Sequence, residues 1–86
     1  MFIEVLDAKY LGDYKINLIF NTGESKIVDL SEELNGKVFQ PLKDKTYLQS
    51  FKIKYNTIEW INGADFAPEF LLELGNKQES GDKKRA

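Results

Sequence analysis

Between Thr57 and Glu69 lies the densest set of side chains able to do chemistry: the carboxylates of Glu59, Asp65 and Glu69, the lone tryptophan Trp60, and the pair Asn62-Gly63. Carboxylates so grouped are of the kind that hold Mg²⁺ or divide the work of acid and base. Each also has a plainer use. Asp65 is placed to bond turn or helix N–H groups, Glu69 to complement the positive first turn of a helix that begins at Pro68, and Glu59 to lie on the strand face opposite Trp60. Asn62-Gly63 reads as a turn needing positive φ; its spacing is not that of a phosphate-cradling glycine loop, and no lysine follows it. On an apolar strand face Trp60 reads as core, with a partner anchor as the rarer use.

The chain has no histidine and no cysteine. The usual nucleophile–base pairs and the imidazole or thiolate metal sites therefore have nothing to be built from. The reading is of a protein that is not an enzyme, with no catalytic, cofactor or metal residue assigned. A second set of functional candidates is Lys15, Lys26, Lys52 and Lys54, which alternation places on outward strand faces. On neighbouring strands they would form a basic patch able to receive nucleic acid or an acidic protein surface. Exposed lysines also keep a sheet soluble and guard its edges, which is the favoured use here. The formal charge is −2 and the only arginine, Arg85, is in the C-terminal tail, so base or phosphate recognition has little to work with.

These residues need a framework, and 86 of them allow one domain with one core. Aromatic side chains make up 13% of the chain, which suits a small domain that must bury much apolar area with few residues. No apolar run is long enough to span a bilayer, and the start Met1-Phe2-Ile3-Glu4-Val5 is not that of a signal peptide. A cytoplasmic protein without membrane association is expected.

In chain order, Phe2 to Tyr10 alternates imperfectly as a strand partly covered on both sides, and Leu11-Gly12-Asp13 carries turn chemistry. Tyr14, Ile16, Leu18 and Phe20 then share one face of the clearest strand. Asn21-Thr22-Gly23 closes a hairpin onto a third strand, Glu24 to Leu30, in which Lys26, Val28 and Leu30 alternate against Ser25, Ile27 and Asp29. A helix of about one turn is predicted from Ser31 to Leu34, stopped by Asn35-Gly36. Lys37 to Lys43, around Pro41, is irregular, and Asp44 caps a short turn through Tyr47 and Leu48. Phe51, Ile53 and Tyr55 are expected inward on a fourth strand and Ile58 and Trp60 on a fifth. A final helix from Pro68 carries Phe70, Leu71 and Leu74 on one face and stops at Gly75. The fold class is α+β, a small, largely antiparallel sheet in the order β-β-β-α-β-β-α with the C-terminal helix packed on it. Residues 1–74 form the domain and residues 75–86 a disordered tail.

The late stretch Thr57-Ile58-Glu59-Trp60, followed by Asn62-Gly63-Ala64-Asp65-Phe66-Ala67-Pro68-Glu69, resembles the closing signature of the small bacterial family DUF2442. Ile19-Phe20-Asn21-Thr22-Gly23, Val28-Asp29-Leu30 and Phe39 through Asp44 are similar to its earlier pieces. Ile61 departs from the pattern, since the family often has proline there. The resemblance covers about residues 3 to 72 and makes Trp60, Asn62, Gly63, Asp65, Pro68 and Glu69 its structural signature. It implies a small protein often encoded beside another small protein, as in a toxin–antitoxin pair. The resulting expectation is a non-catalytic protein-interaction module, antidote-like or regulatory toward that neighbour, with a homodimer plausible. The alternative is a nucleic-acid-binding regulator using the lysine-bearing sheet face.

Overall fold

A computed structural model describes the backbone of residues 2–84 and the side chains of residues 2–79. Strands β1 (Val5–Gly12), β2 (Lys15–Phe20) and β3 (Ser25–Asp29) form an antiparallel meander in sequential order. The expected alternation of β2 is present: Ile16, Leu18 and Phe20 are buried while Lys15 is exposed. Strand β1 is less regular because its register shifts between Val5 and Asp7 and again between Tyr10 and Gly12. Bulges of this kind twist a strand and re-aim its side chains. Val5 is thereby buried beside an exposed Leu6.

The predicted helix at Ser31 does not form. Asp29 accepts a hydrogen bond from the Ser31 N–H at 2.9 Å, and Glu33 N–H donates to the Leu30 carbonyl, so Asp29 closes a turn instead of capping a helix. Leu34 still reaches the core. Helical structure begins later, with a 3-10 helix at Lys37–Lys43 that accommodates Pro41, then α1 (Lys45–Leu48). Asp44 caps α1 as expected, accepting from the Thr46 N–H at 2.9 Å. The Tyr14 hydroxyl donates to the Lys43 carbonyl at 2.6 Å and ties this region to the meander.

Strands β4 (Lys52–Lys54) and β5 (Thr57–Glu59) form a separate two-stranded antiparallel ribbon. It meets the edge of β1 end-on, through a 2.8 Å bond from the Val5 N–H to the Asn56 carbonyl. Ile53 and Tyr55, expected inward, are exposed, and Phe51 is only half-buried. All three residues of β4 are exposed, and Tyr55 lies in the turn, with φ 53, rather than in the strand. On β5 the expectation holds, because Ile58 and Trp60 are both core.

Helix α2 runs from Pro68 to Lys84, and the expected stop at Gly75 does not occur. Residues 75–84 continue the helix rather than leaving it as a disordered tail; Arg85 and Ala86 lie outside the described residues. Leu71 and Leu74 pack into the core as predicted, whereas Phe70 is partly exposed. The mixed architecture is α+β, with a three-stranded sheet, a two-stranded ribbon and a C-terminal helix lying along β3. Among the described residues no helix is long and apolar enough to cross a membrane.

Candidate functional site

The late signature folds as a joint between β5 and α2. Trp60 sits at its centre, 2% exposed, with its ring edge-on to Phe51 at 6.3 Å and to Phe66 at 6.0 Å. Its indole N–H donates to the buried Leu48 carbonyl at 2.7 Å. The tryptophan therefore joins α1 to β5 instead of facing a partner. Main-chain bonds from Gly63 N–H to the Trp60 carbonyl and from Trp60 N–H to the Ala64 carbonyl, both 2.9 Å, close the turn. Gly63 has φ 89, as the turn reading requires. Asn62 is shared between two jobs: its Oδ1 accepts from the Ala64 N–H at 3.1 Å, and its Nδ2 donates to the Val38 carbonyl at 2.9 Å.

Asp65 behaves differently from the expectation. Its side chain is exposed and makes no hydrogen bond among the described residues; its main chain forms an isolated antiparallel bridge with Glu59. Ala67, whose carbonyl takes the first helical bond from Leu71 at 3.0 Å, stands at the helix start in place of an aspartate cap. Pro68 opens α2 and Glu69 lies in its first turn, both as predicted.

Glu59, Asp65 and Glu69 do not converge. Among the described residues, no cluster of three or more metal-ligating side chains exists. The charged partner that Glu59 does find is the Lys54 ammonium, at 3.9 Å, too long for a firm ion pair at so exposed a lysine. The signature thus folds as a hydrogen-bonded knot around Trp60.

The four candidate lysines are also dispersed. Lys15 is exposed on the open face of the meander, opposite Asp29 in register. Lys26 pairs with Leu18 and so shares the covered face, contrary to its expected outward placement. Its side chain is only 13% exposed and bonds Glu79 of α2 at 2.8 Å. The hydrogen bond that Lys26 donates to Glu79 holds its ammonium above the ordinary pKa of 10.5, desolvation opposing it and the charges of Glu79 and Glu24 adding to it. Lys52 and Lys54 belong to the separate β4–β5 ribbon. No single lysine-bearing sheet face results.

Three features were missed in the sequence. Thr57, buried, donates its hydroxyl to the Phe66 carbonyl at 2.6 Å and clamps β5 to the chain entering α2. The Gln78 amide spans Asp29 of the β3 edge, accepting its N–H at 2.8 Å and donating to its carbonyl at 2.9 Å, as a neighbouring strand would. Between this helix and the open face of the meander runs a groove of about 950 Å³, with Leu11, Asn17 and Ile27 on the sheet side and Gly75, Gln78 and Glu79 on the helix side. Continuing the spacing of Leu71 and Leu74 to Gln78 would have carried the helix past Gly75 and signalled this contact.

Residues 5–77 match the family described as "Protein of unknown function (DUF2442)". No curated protein and no solved structure matches the chain.

Proposed function

We propose that this chain, which belongs to the DUF2442 family, is a non-catalytic protein-interaction module that binds a small protein encoded beside it in a bacterial cytoplasm, as its antidote-like or regulatory partner. The supporting observation is the groove along β3. Its sheet side exposes Leu11 and Ile27, 45% and 55% accessible, on a face over which no element packs among the described residues. Large aliphatic side chains left open beside polar Lys15, Asn17 and Asp29 have the composition of a surface that a partner covers. The side chains of Thr57, Trp60 and Asn62 are meanwhile bonded to the protein's own main chain. Binding by covering the partner's working surface fits a domain of this size.

The test is calorimetric titration of the purified protein with the product of the adjacent gene. A complex at micromolar concentration, lost on combining Leu11→Asp with Ile27→Asp while the fold persists, is the expected result. No complex at those concentrations, or one indifferent to both substitutions, would overturn the reading.

A further inference from the structure

The outward edge of β4 is a second, independent feature. In the β4–β5 ribbon Lys54 pairs with Thr57 across a two-residue turn, Ile53 with Ile58, and Lys52 with Glu59. A two-residue turn makes Lys54 and Thr57 a hydrogen-bonded pair, so Lys52 and Glu59 are one too, and Ile53 sits at the non-bonded position between them. The main-chain N–H and C=O of Ile53 therefore point away from β5. The other side of β5 is already taken, by Trp60 bonding Ala64 and by the Glu59–Asp65 bridge. Apart from the end-on Asn56 contact to β1, no main-chain bond joins the ribbon's β4 side to another element among the described residues.

Tyr55 and Asn56 form the turn with φ of 53 and 69. A pair at positive φ is ordinarily supplied by Asn-Gly, and a bulky aromatic residue there is a strained choice. It keeps Tyr55 78% exposed at the end of the edge, beside a 41% exposed Ile53. Lys54 lies over the Tyr55 ring at 5.4 Å, and Lys52 has no ion pair among the described residues. Two lysines face one carboxylate, Glu59, along a groove of about 560 Å³ that also touches Trp60 and Gly63. This edge is locally positive on a chain whose formal charge is −2.

These charges select the occupant. If two copies paired antiparallel about Ile53, Lys52 of each would stand opposite Lys54 of the other, and like charges directly across a ladder repel. Lysines on an edge are the usual means of preventing such self-pairing. The same two positions attract a strand that carries acidic residues at alternate places. We infer that the free edge of β4 accepts, by strand addition, an extended acidic segment of a partner protein, with carboxylates opposite Lys52 and Lys54 and an apolar residue against Ile53 and Tyr55. This rests on the reading of the chain as an interaction module but assigns a surface of its own, separate from the β3 groove.

A short capped peptide alternating valine and glutamate is the probe, titrated into the ¹⁵N-labelled protein, with its lysine-for-glutamate counterpart as control. The Ile53, Lys52 and Lys54 amides are expected to shift while those of β3 do not. The Ile53 amide, having gained an acceptor, should exchange more slowly. Combining Lys52→Glu with Lys54→Glu should weaken binding at least about tenfold, from the loss and reversal of two cross-strand charge pairs. Ile53→Pro removes the outward N–H without touching a β4–β5 bond and should also abolish it; the charge reversal keeps the test valid if that variant does not fold. Absence of shifts at millimolar peptide, equal binding of the lysine peptide, a dimer that forms through this edge, or tighter binding of single-stranded DNA at the same amides would each overturn the inference. A complex with the adjacent gene product that is lost on Leu11→Asp with Ile27→Asp but untouched by the lysine reversals would remove this edge and leave the module reading standing.

Discussion

Gly75 and Lys26 are in contact where α2 crosses the edge of β3: a methyl group placed on Gly75 would lie 2.7 Å from Lys26 Cβ and 3.1 Å from its Cγ. Glycine is used here for close approach within a continuing helix. The lysine that fills the notch then reaches Glu79 one turn further on.

Gly75→Ala separates local propensity from packing. In an isolated helix the change is favourable by about 1 kcal/mol. In this protein the obstructing atom is next to the Lys26 main chain and cannot swing aside, so overpacking of about 1–3 kcal/mol outweighs the gain. A net loss of stability in urea titration is expected. A gain would mean that α2 and β3 are not so closely packed.

Trp60→Phe should retain most of the ring packing and remove one bond. The Leu48 carbonyl is then buried without the indole donor at 2.7 Å, at a cost of about 1–3 kcal/mol. Thr57→Val, which keeps the shape and strands the Phe66 carbonyl, should cost a similar amount. Thermal unfolding of the two variants measures both directly.

Asn62→Ala and Asp65→Ala, three positions apart, should behave unlike one another. Asn62 loses bonds to Ala64 and Val38, worth about 1–2 kcal/mol together, whereas Asp65 has no side-chain bond to lose and should stay within about 0.5 kcal/mol of the parent. An equal loss at both positions would count against the geometry of this turn.

The Lys26–Glu79 pair sets a pH dependence of known sign. Because folding raises the Lys26 pKa above its ordinary 10.5, the stabilisation is fully present below that value and is lost as pH rises through the higher folded-state pKa. Glu79→Gln should accordingly lower the melting temperature at neutral pH. Its difference from the parent should shrink as the pH is taken beyond about 10.5. A difference that stayed constant into that range would show that the pair does not titrate with folding.

Strand periodicity, turn chemistry and the proline at the head of α2 were all readable locally, and they correctly predicted the meander, the two strands of the ribbon though not their separation into a second sheet, Asp44 as a cap and Trp60 as core. So was family membership, through the Thr57 to Glu69 signature. Alternation of side chains divides a strand into two faces but does not say which is covered, or how far along. Lys26 was misplaced for that reason: it falls on the covered face with Val28, at the point where α2 arrives. Ile53 and Tyr55 were misplaced for the converse reason: β4 is exposed throughout, while β5 opposite it supplies the ribbon's buried residues. Gly75 followed the local rule for a helix end, yet what decides a glycine's role is the distance to a strand some fifty residues earlier. Sequence alone therefore determined the five strands, the start of α2 and the turns at Asn21-Thr22-Gly23 and Asn62-Gly63, since those depend on interactions within a few residues. Tertiary structure decided which edges are sealed and which stay open, because Gln78 on Asp29, the Thr57 clamp and the bare edge of β4 all depend on what the rest of the chain brings alongside.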